Sequence, residues 1–235
     1  NLSEMFVVRN AYVGKADMYV RMNGLHNFGP GGAFLDLPWV IQHYGIVPES
    51  AYKGLNYGYD KHNHAEMDAV LKGIVDAVKN NPQGKLTTAW KPAFEGAIDA
   101  YLGAVPKTFT VDNKTYTPQS YAQYLGLNMK DYVSLTSFTH HPYYSSFAIE
   151  VQDNWAMMQS YNLPLDELQK VAESSLMNGY TWAWGADVSE KGFSFKNGVA
   201  IVPEMDWEDI KSSELDSVIN TPGKQLKVTQ EIRQK

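Results

Sequence analysis

Histidine and carboxylate side chains lie close together in the stretch "DKHNHAE". His62 and His64 would lie on one side of an extended segment, with Asp60 and Glu66 nearby. Imidazole nitrogens and carboxylate oxygens are ligands that zinc accepts. No further run of ligands accompanies them, so the pattern favours a solvated loop over a metal centre.

A second histidine pair, His140 and His141, occurs in "THHPYY". Adjacent residues of an extended chain direct their side chains to opposite sides. We therefore expect the two rings to point apart, and the sequence does not predict a joint metal site.

An acidic stretch, "PEMDWED", gathers four carboxylates: Glu204, Asp206, Glu208 and Asp209. Paired carboxylates about 5 to 9 Å apart can hydrolyse a glycosidic bond. A surface acidic loop is the simpler interpretation. A glycosidase stays an alternative if Glu204 or Asp206 faces another carboxylate across a cleft.

Composition excludes several classes of site and partner. The 235 residues contain no cysteine, so this chain supplies no disulfide, thiolate metal ligand or cysteine nucleophile. The net charge is −6 and the basic residues are scattered, which argues against nucleic acid as the main partner. Apolar runs end well before the roughly 18 residues of a membrane span. A hydrophobic content of 44% can build one large domain or two small ones.

A pair of glycines precedes an apolar stretch in "NFGPGGAFLDLPWVIQHYG". Gly31 and Gly32 stand directly before a pattern that predicts a helix from about Asp36, with Pro38 in its first turn and Gly45 as C-cap. Glycines before a helix most often form a turn. A glycine pair also lets another backbone approach closely.

Other segments alternate between helix and strand. Residues 2–9 start like a helix, with Ser3 as N-cap and Glu4 in the first turn. Apolar spacing predicts further helices at 66–78, at 92–102 and after Pro118. The stretch "TFTVDNKTYTP" predicts a hairpin that turns at Asp112 and Asn113, and 132–138 is dense in strand-forming residues.

The stretch "NLPLDELQKVAESSLMNGYTWAWGADV" predicts a helix from Pro164 to about 178, followed by a strand. In that strand Tyr180, Trp182 and Trp184 would face a core, and small residues would take the opposite face. The small face, which includes Ala183, is a candidate cleft wall.

These motifs resemble those of papain-type cysteine peptidases. The segments are "LSEMF", "GPGGAFLDLPWVIQHYGIVPESAY", "TYTPQSYAQYLGLNMKDYVSL" and the stretch that ends in "GYTWAWGADV". Together they are similar to the aminopeptidase C and bleomycin hydrolase group, from residue 2 to about 202. The resemblance implies an α+β, papain-like fold. Residues 1–65 would form the helical part, 66–130 a helical and hairpin insertion, and 131–235 part of an antiparallel β subdomain.

The resemblance also implies where the catalytic groups would lie. In the family a cysteine thiolate, activated by a histidine that an asparagine orients, attacks the peptide carbonyl. By position, that cysteine would precede Asn1 and that histidine would follow Lys235. We therefore expect an interior portion of a peptidase that has no catalytic residue of its own and is inactive alone.

Carried over by position, five residues would bind substrate. Gly31 and Gly32 would pair with the substrate main chain, Ala33 and Phe34 would border the pocket for the second residue from the cleaved bond, and Ala183 would form its far wall. The alternation argument for Ala183 is independent of the resemblance. The family usually has an aromatic residue and a proline where Ala33 and Phe34 stand.

The expected function is therefore that of a cysteine-type aminopeptidase acting on peptides, without a cofactor. Members of this family often form closed homo-oligomers, and the well-known ones are cytoplasmic, although an exported form stays open. The alternative is a non-catalytic peptide- or glycan-binding module with a peptidase-like fold.

Overall fold

The computed structural model describes residues 1–185, 188–189 and 193–200. Their helices are α1 (Glu4–Arg21), α2 (Asp36–Tyr44), α3 (Ala65–Lys79), α4 (Trp90–Leu102), α5 (Pro118–Tyr124) and α6 (Leu165–Met177), with a short 3-10 helix at Met129–Asp131. Their strands are β1 (Phe109–Val111), β2 (Lys114–Tyr116), β3 (Leu135–Thr136), β4 (Ser146–Ala148), β5 (Gln159–Asn162), β6 (Phe193–Ser194) and β7 (Val199–Ala200). Small sheets pair β1 with β2, β6 with β7, and β3, β5 and β4 in that order. This is the predicted α+β class.

The chain divides into two compact units. The first contains Asn1–Ser134 and Ser146–Ser160, and the second contains Leu135–Ser145 together with the described residues from Tyr161 onward. The division at residues 65 and 130 that the resemblance implies stays a prediction.

Local signals place the first two helices as predicted. The side chain of Ser3 accepts a hydrogen bond from the Phe6 backbone N–H, so it caps α1. Helix α2 begins at Asp36 and ends before Gly45, whose φ of 78° suits a residue without a side chain. A Cβ on Gly45 would also clash with the backbone of Pro118.

The core of the first unit lies between α1, α3 and α4. Its fully buried side chains include Phe6, Val13, Met67, Leu71, Val75, Phe94, Ile98 and Leu102. Polar contacts also hold these helices together. The Tyr12 hydroxyl donates to Asp68 at 2.5 Å, and the Arg9 guanidinium pairs with Asp99 at 2.9 Å.

The hairpin is also confirmed. Strands β1 and β2 run antiparallel, with Phe109 opposite Tyr116. Asp112 and Asn113 form the turn with φ of 48° and 61°, as a tight two-residue hairpin requires. The hydroxyl of Thr117 then caps α5.

The strand predicted for 132–138 is shorter in the structure. Only Leu135–Thr136 forms β3, which pairs in parallel with β5. The reason is the buried side chain of Asn162, which accepts from the Phe138 N–H at 2.8 Å and donates to the Phe138 carbonyl at 2.9 Å. These contacts take the backbone groups that a longer ladder would need.

The strand predicted for 180–185 is wrong. Helix α6 ends where predicted, but 180–185 has no regular secondary structure and pairs with no strand of the described residues. Trp184 is 85% exposed and Tyr180 is exposed too, so the predicted core face is also wrong. The indole N–H of Trp182 donates to the Ser175 hydroxyl, which turns this side chain back to α6.

Candidate functional site

The candidate site is the glycine segment, residues 29–34, which connects Phe28 to helix α2. Phe28 is buried and fixes one end of the segment. Its ring centroid lies 5.8 Å from those of Tyr12 and Tyr19 and 5.9 Å from that of Phe94. The segment therefore starts from the rigid core of the first unit.

A buried lysine holds the middle of the glycine segment. Lys15, on α1, is only 5% exposed. Its ammonium group donates to the Gly29 carbonyl at 3.3 Å and to the Gly31 carbonyl at a shorter distance. Burial of a lysine requires such partners, because an ammonium group without hydrogen bonds is very costly away from water.

Asp36 holds the other end. It is buried at the start of α2, and its backbone N–H donates to the Ala33 carbonyl at 2.9 Å. A Cβ on Gly32 would clash with the Asp36 carboxylate and lie 3.6 Å from the Lys15 ammonium. Gly32 is therefore required by packing as well as by the predicted approach of a ligand.

Gly31 is required by its backbone conformation. Its φ is 85°, a region that residues with a side chain rarely adopt, although a Cβ would meet open space. The glycine pair thus has two structural reasons, the positive φ of Gly31 and the space that Asp36 occupies at Gly32.

Burial and the neighbouring opposite charges have opposing effects on the pKa values of Lys15 and Asp36. Burial lowers the pKa of Lys15, and the carboxylates of Asp36, Asp153 and Asp68 oppose this. Burial raises the pKa of Asp36. The Trp155 indole N–H, which lies near that carboxyl group outside normal hydrogen-bond geometry, and the Lys15 ammonium group oppose the rise. The neighbouring charges reduce both shifts, but burial remains the largest cause for each group.

The outer side of the glycine segment is open. Gly31 and Gly32 are exposed, Ala33 is half-buried and Phe34 is 60% exposed. The N–H and C=O of Gly32 form no hydrogen bond with another described residue. Gly32 therefore offers a backbone donor and a backbone acceptor, both unpaired among the described residues, near the apolar ring of Phe34.

The fifth predicted residue, Ala183, lies in the second unit and is exposed. Its role as a pocket wall stays a prediction. The sequence interpretation missed Lys15 and Asp36. Lys15 acts through contacts with Gly29 and Gly31, 14 and 16 residues away, which no local sequence pattern specifies.

The structure does not support a metal centre at His62 and His64. Their ring centroids lie 5.5 Å apart, but no third histidine or carboxylate of the described residues joins them at ligand distance. Burial and the neighbouring His62 lower the pKa of His64.

Two further candidates from the sequence are the second histidine pair and the acidic stretch. The expectation that His140 and His141 point apart is wrong: their ring centroids are 4.5 Å apart, since His140 lies in a turn rather than in an extended strand. The acidic stretch with Glu204, Asp206, Glu208 and Asp209 lies outside the described residues.

A shallow groove also lies at the C-terminal end of α6. Its lining residues are Val171, Ser174, Ser175, Asn178 and Tyr180. It contains no charged side chain, so it offers hydrogen bonds and an aromatic face but no general acid or base.

Comparison with known proteins agrees with this architecture. The model of the peptidase C1-like family matches residues 105–220. The crystal structure of PepW from Lactobacillus rhamnosis HN001 superposes with a TM-score of 0.54 at 18% identity, covering 76% of this chain and 49% of PepW. A search of the curated proteins finds no match.

The fold is thus α+β and papain-like. Over residues 105–220 the chain is similar to the peptidase C1-like family. It spans about half the length of PepW. No helix among the described residues is long and apolar enough to cross a membrane.

Proposed function

We propose that this chain supplies substrate-binding residues of a papain-like cysteine aminopeptidase. The observation that supports the proposal is the open side of the glycine segment, where the N–H and C=O of Gly32 are unpaired among the described residues. An extended peptide pairs with such groups as an added strand would, through one donor and one acceptor. Gly32 has no side chain that would keep the peptide backbone away.

Neighbouring groups would set the register of the bound peptide. The Gly31 carbonyl already accepts from Lys15, so Gly32 is the member of the glycine pair whose N–H and C=O are both unpaired among the described residues. The exposed ring of Phe34 would contact an apolar side chain of the peptide, with Ala33 beside it. In this proposal a peptide is the partner, and the role of Ala183 stays the expectation that the resemblance implies.

Peptide-bond cleavage would use groups outside these 235 residues. The chain has no cysteine, so the thiolate that forms the acyl-enzyme has to come from elsewhere in a longer protein. The catalytic histidine would follow the second unit, as the resemblance implies. In the proposal the described residues bind and orient the peptide, while that thiolate and imidazole make and break bonds.

The test compares the 235-residue chain with the same chain plus whatever sequence its gene encodes on either side. Both are assayed for release of a fluorophore from an aminoacyl amide, with and without a thiol-alkylating inhibitor. We expect no release by the 235-residue chain and inhibitor-sensitive release by the longer protein. Release by the shorter chain, or release that the inhibitor leaves unchanged, would contradict the proposal.

A second candidate function is a non-catalytic peptide- or glycan-binding module. The exposed aromatic residues Tyr180 and Trp184 favour it, because aromatic rings in water are common contacts for sugars and peptides. The same experiment separates the candidates. A longer protein that binds peptide or glycan without cleaving either supports the module.

A further inference from the structure

We propose that Lys15 is a positioning residue that aims the Gly32 N–H at the ligand. The proposal rests on the function proposed above, because it concerns how the glycine segment presents its backbone. It assigns a role to a buried cation on α1 that does not itself touch substrate.

The stereochemistry of one peptide unit carries the inference. The carbonyl of Gly31 and the N–H of Gly32 belong to the same peptide plane, and in a trans peptide they point in opposite directions. The structure has no cis peptide among its described residues. Lys15 holds the Gly31 carbonyl on the inner side, so the Gly32 N–H has to face outward.

A glycine-rich backbone needs such a restraint. Gly31 has no side chain to oppose rotation of this peptide plane, and its φ of 85° is one of several conformations open to glycine. A flipped plane would turn the Gly32 N–H inward and remove the donor from the proposed docking edge. The second contact, from Lys15 to the Gly29 carbonyl at 3.3 Å, fixes the ammonium group between two acceptors.

Surrounding groups keep Lys15 in place. The carboxylates that act on its charge belong to Asp36 on α2, Asp68 on α3 and Asp153. The ring centroid of Tyr12, one turn earlier on α1, lies 5.5 Å from the ammonium nitrogen. Lys15 is therefore bound from several elements of the first unit and is well suited to restrain a loop.

The experiment measures binding of one peptide to the 235-residue chain by ¹H–¹⁵N NMR. The probe is the tetrapeptide Ala-Leu-Ala-Ala with a free N-terminus, and the reported signal is the amide of Gly32. We expect Lys15→Met to bind about tenfold more weakly, as for a lost charged hydrogen bond that preorganises the site. We also expect the Gly32 amide of this variant to stop responding to peptide.

The matched control is Arg9→Met. Arg9 is also a buried cation on α1, but it pairs with Asp99 and contacts no residue of the glycine segment in the described structure. We expect this variant to lose stability and to bind the tetrapeptide as the unaltered chain does. Equal loss of binding in both variants would overturn the proposal, because it would show a general effect of destabilising α1.

A chemical rescue separates the charge of Lys15 from its volume. The chain contains no cysteine, so Lys15→Cys can be alkylated at a single site in the unfolded chain and then refolded. Bromoethylamine restores an ammonium group, whereas bromopropane places a methyl group at the same distance. We expect the ammonium adduct to regain the original Kd and the neutral adduct to stay weak. Equal affinity of the two adducts would overturn the proposal.

Failure of the two proposals can be told apart. If the unaltered chain does not bind the tetrapeptide, the proposed function fails. If it binds and Lys15→Met binds equally well, the proposed function stands and the positioning role is wrong.

Discussion

Two helices with similar sequence patterns have opposite environments. Helix α3 of the first unit buries Met67, Leu71 and Val75 completely or nearly so, whereas α6 of the second unit buries no side chain, and its Leu176 is 58% exposed. Both carry an apolar stripe at helical spacing. The comparison teaches that periodicity predicts the helix, while burial depends on what the rest of the fold brings against it.

The same substitution made in both helices tests this difference in burial. Leu71→Ala removes a side chain with 0% exposure and should lower the free energy of unfolding by about 2 to 5 kcal/mol. Leu176→Ala should change it by no more than about 0.5 kcal/mol, since the side chain is mostly in water. Urea unfolding of both variants measures the difference. Similar losses would mean that α6 is covered by protein in solution.

Glycines inside helices offer a second contrast. A Cβ on Gly14 of α1 would lie 2.5 Å from the Trp155 ring and 2.8 Å from that of Trp39, whereas nothing lies within 4 Å at Gly73 of α3. Gly14→Ala should therefore cost about 1 to 3 kcal/mol through overpacking. Gly73→Ala should gain about 0.5 to 1 kcal/mol from helix propensity. Thermal unfolding checks both signs, and a stabilising Gly14→Ala would refute the packing around Trp155.

The buried tyrosines of the first unit predict how its stability depends on pH. Burial first, then the hydrogen bond to Asp68 and its charge, raise the pKa of Tyr12. In the unfolded chain the Tyr12 hydroxyl has the ordinary tyrosine pKa of about 10. Above that pH the unfolded chain loses this proton, whereas the folded chain retains it. The contribution of Tyr12 to the free energy of unfolding should thus be fully present below about pH 10. Above that pH the free energy of unfolding should fall, by up to about 1.4 kcal/mol per pH unit for one group.

Tyr12→Phe should make that decline less steep. Some slope should persist, because burial also raises the pKa of Tyr52. Tyr132→Phe, at an exposed position, is the control and should keep the original slope. Urea unfolding at about pH 8 and about pH 11 measures both effects. A slope unchanged by Tyr12→Phe would show that this hydroxyl is not buried as described.

The smallest expected effect concerns the proposed pocket. Phe34→Ala should leave stability nearly unchanged, because the ring is 60% exposed, yet weaken tetrapeptide binding several-fold by removal of apolar contact. Tyr132→Ala, at 58% exposure, is the matched control and should leave binding unchanged. If both variants bind the tetrapeptide as tightly as the unaltered chain does, Phe34 is not part of the site.

Local chemistry made much of the fold predictable. Ser3, Pro118 and the turn residues Asp112 and Asn113 each act through their own backbone neighbours, and the structure confirms the elements they predict. The strand at 180–185 failed because strand formation needs a partner chain segment. Alternation in "YTWAWG" sets the two faces of a strand only if that strand pairs.

The candidate site was predictable only in part. The glycine pair was visible in the sequence, and the resemblance to papain-type peptidases gave it a role. Lys15 lies 16 residues from its acceptor Gly31. The Asp36 carboxylate occupies the space that a side chain at residue 32 would need. Such contacts depend on how α1 and α2 pack, which no local pattern specifies.

In the proposed function the open side of the glycine segment binds a peptide backbone. The most direct measurement is amide hydrogen exchange at Gly32 in the 235-residue chain, with and without saturating Ala-Leu-Ala-Ala peptide. We expect fast exchange in the free chain, where this N–H has no partner among the described residues, and clear slowing with peptide. Exchange at Gly32 that stays fast when the peptide is shown to be bound would contradict it.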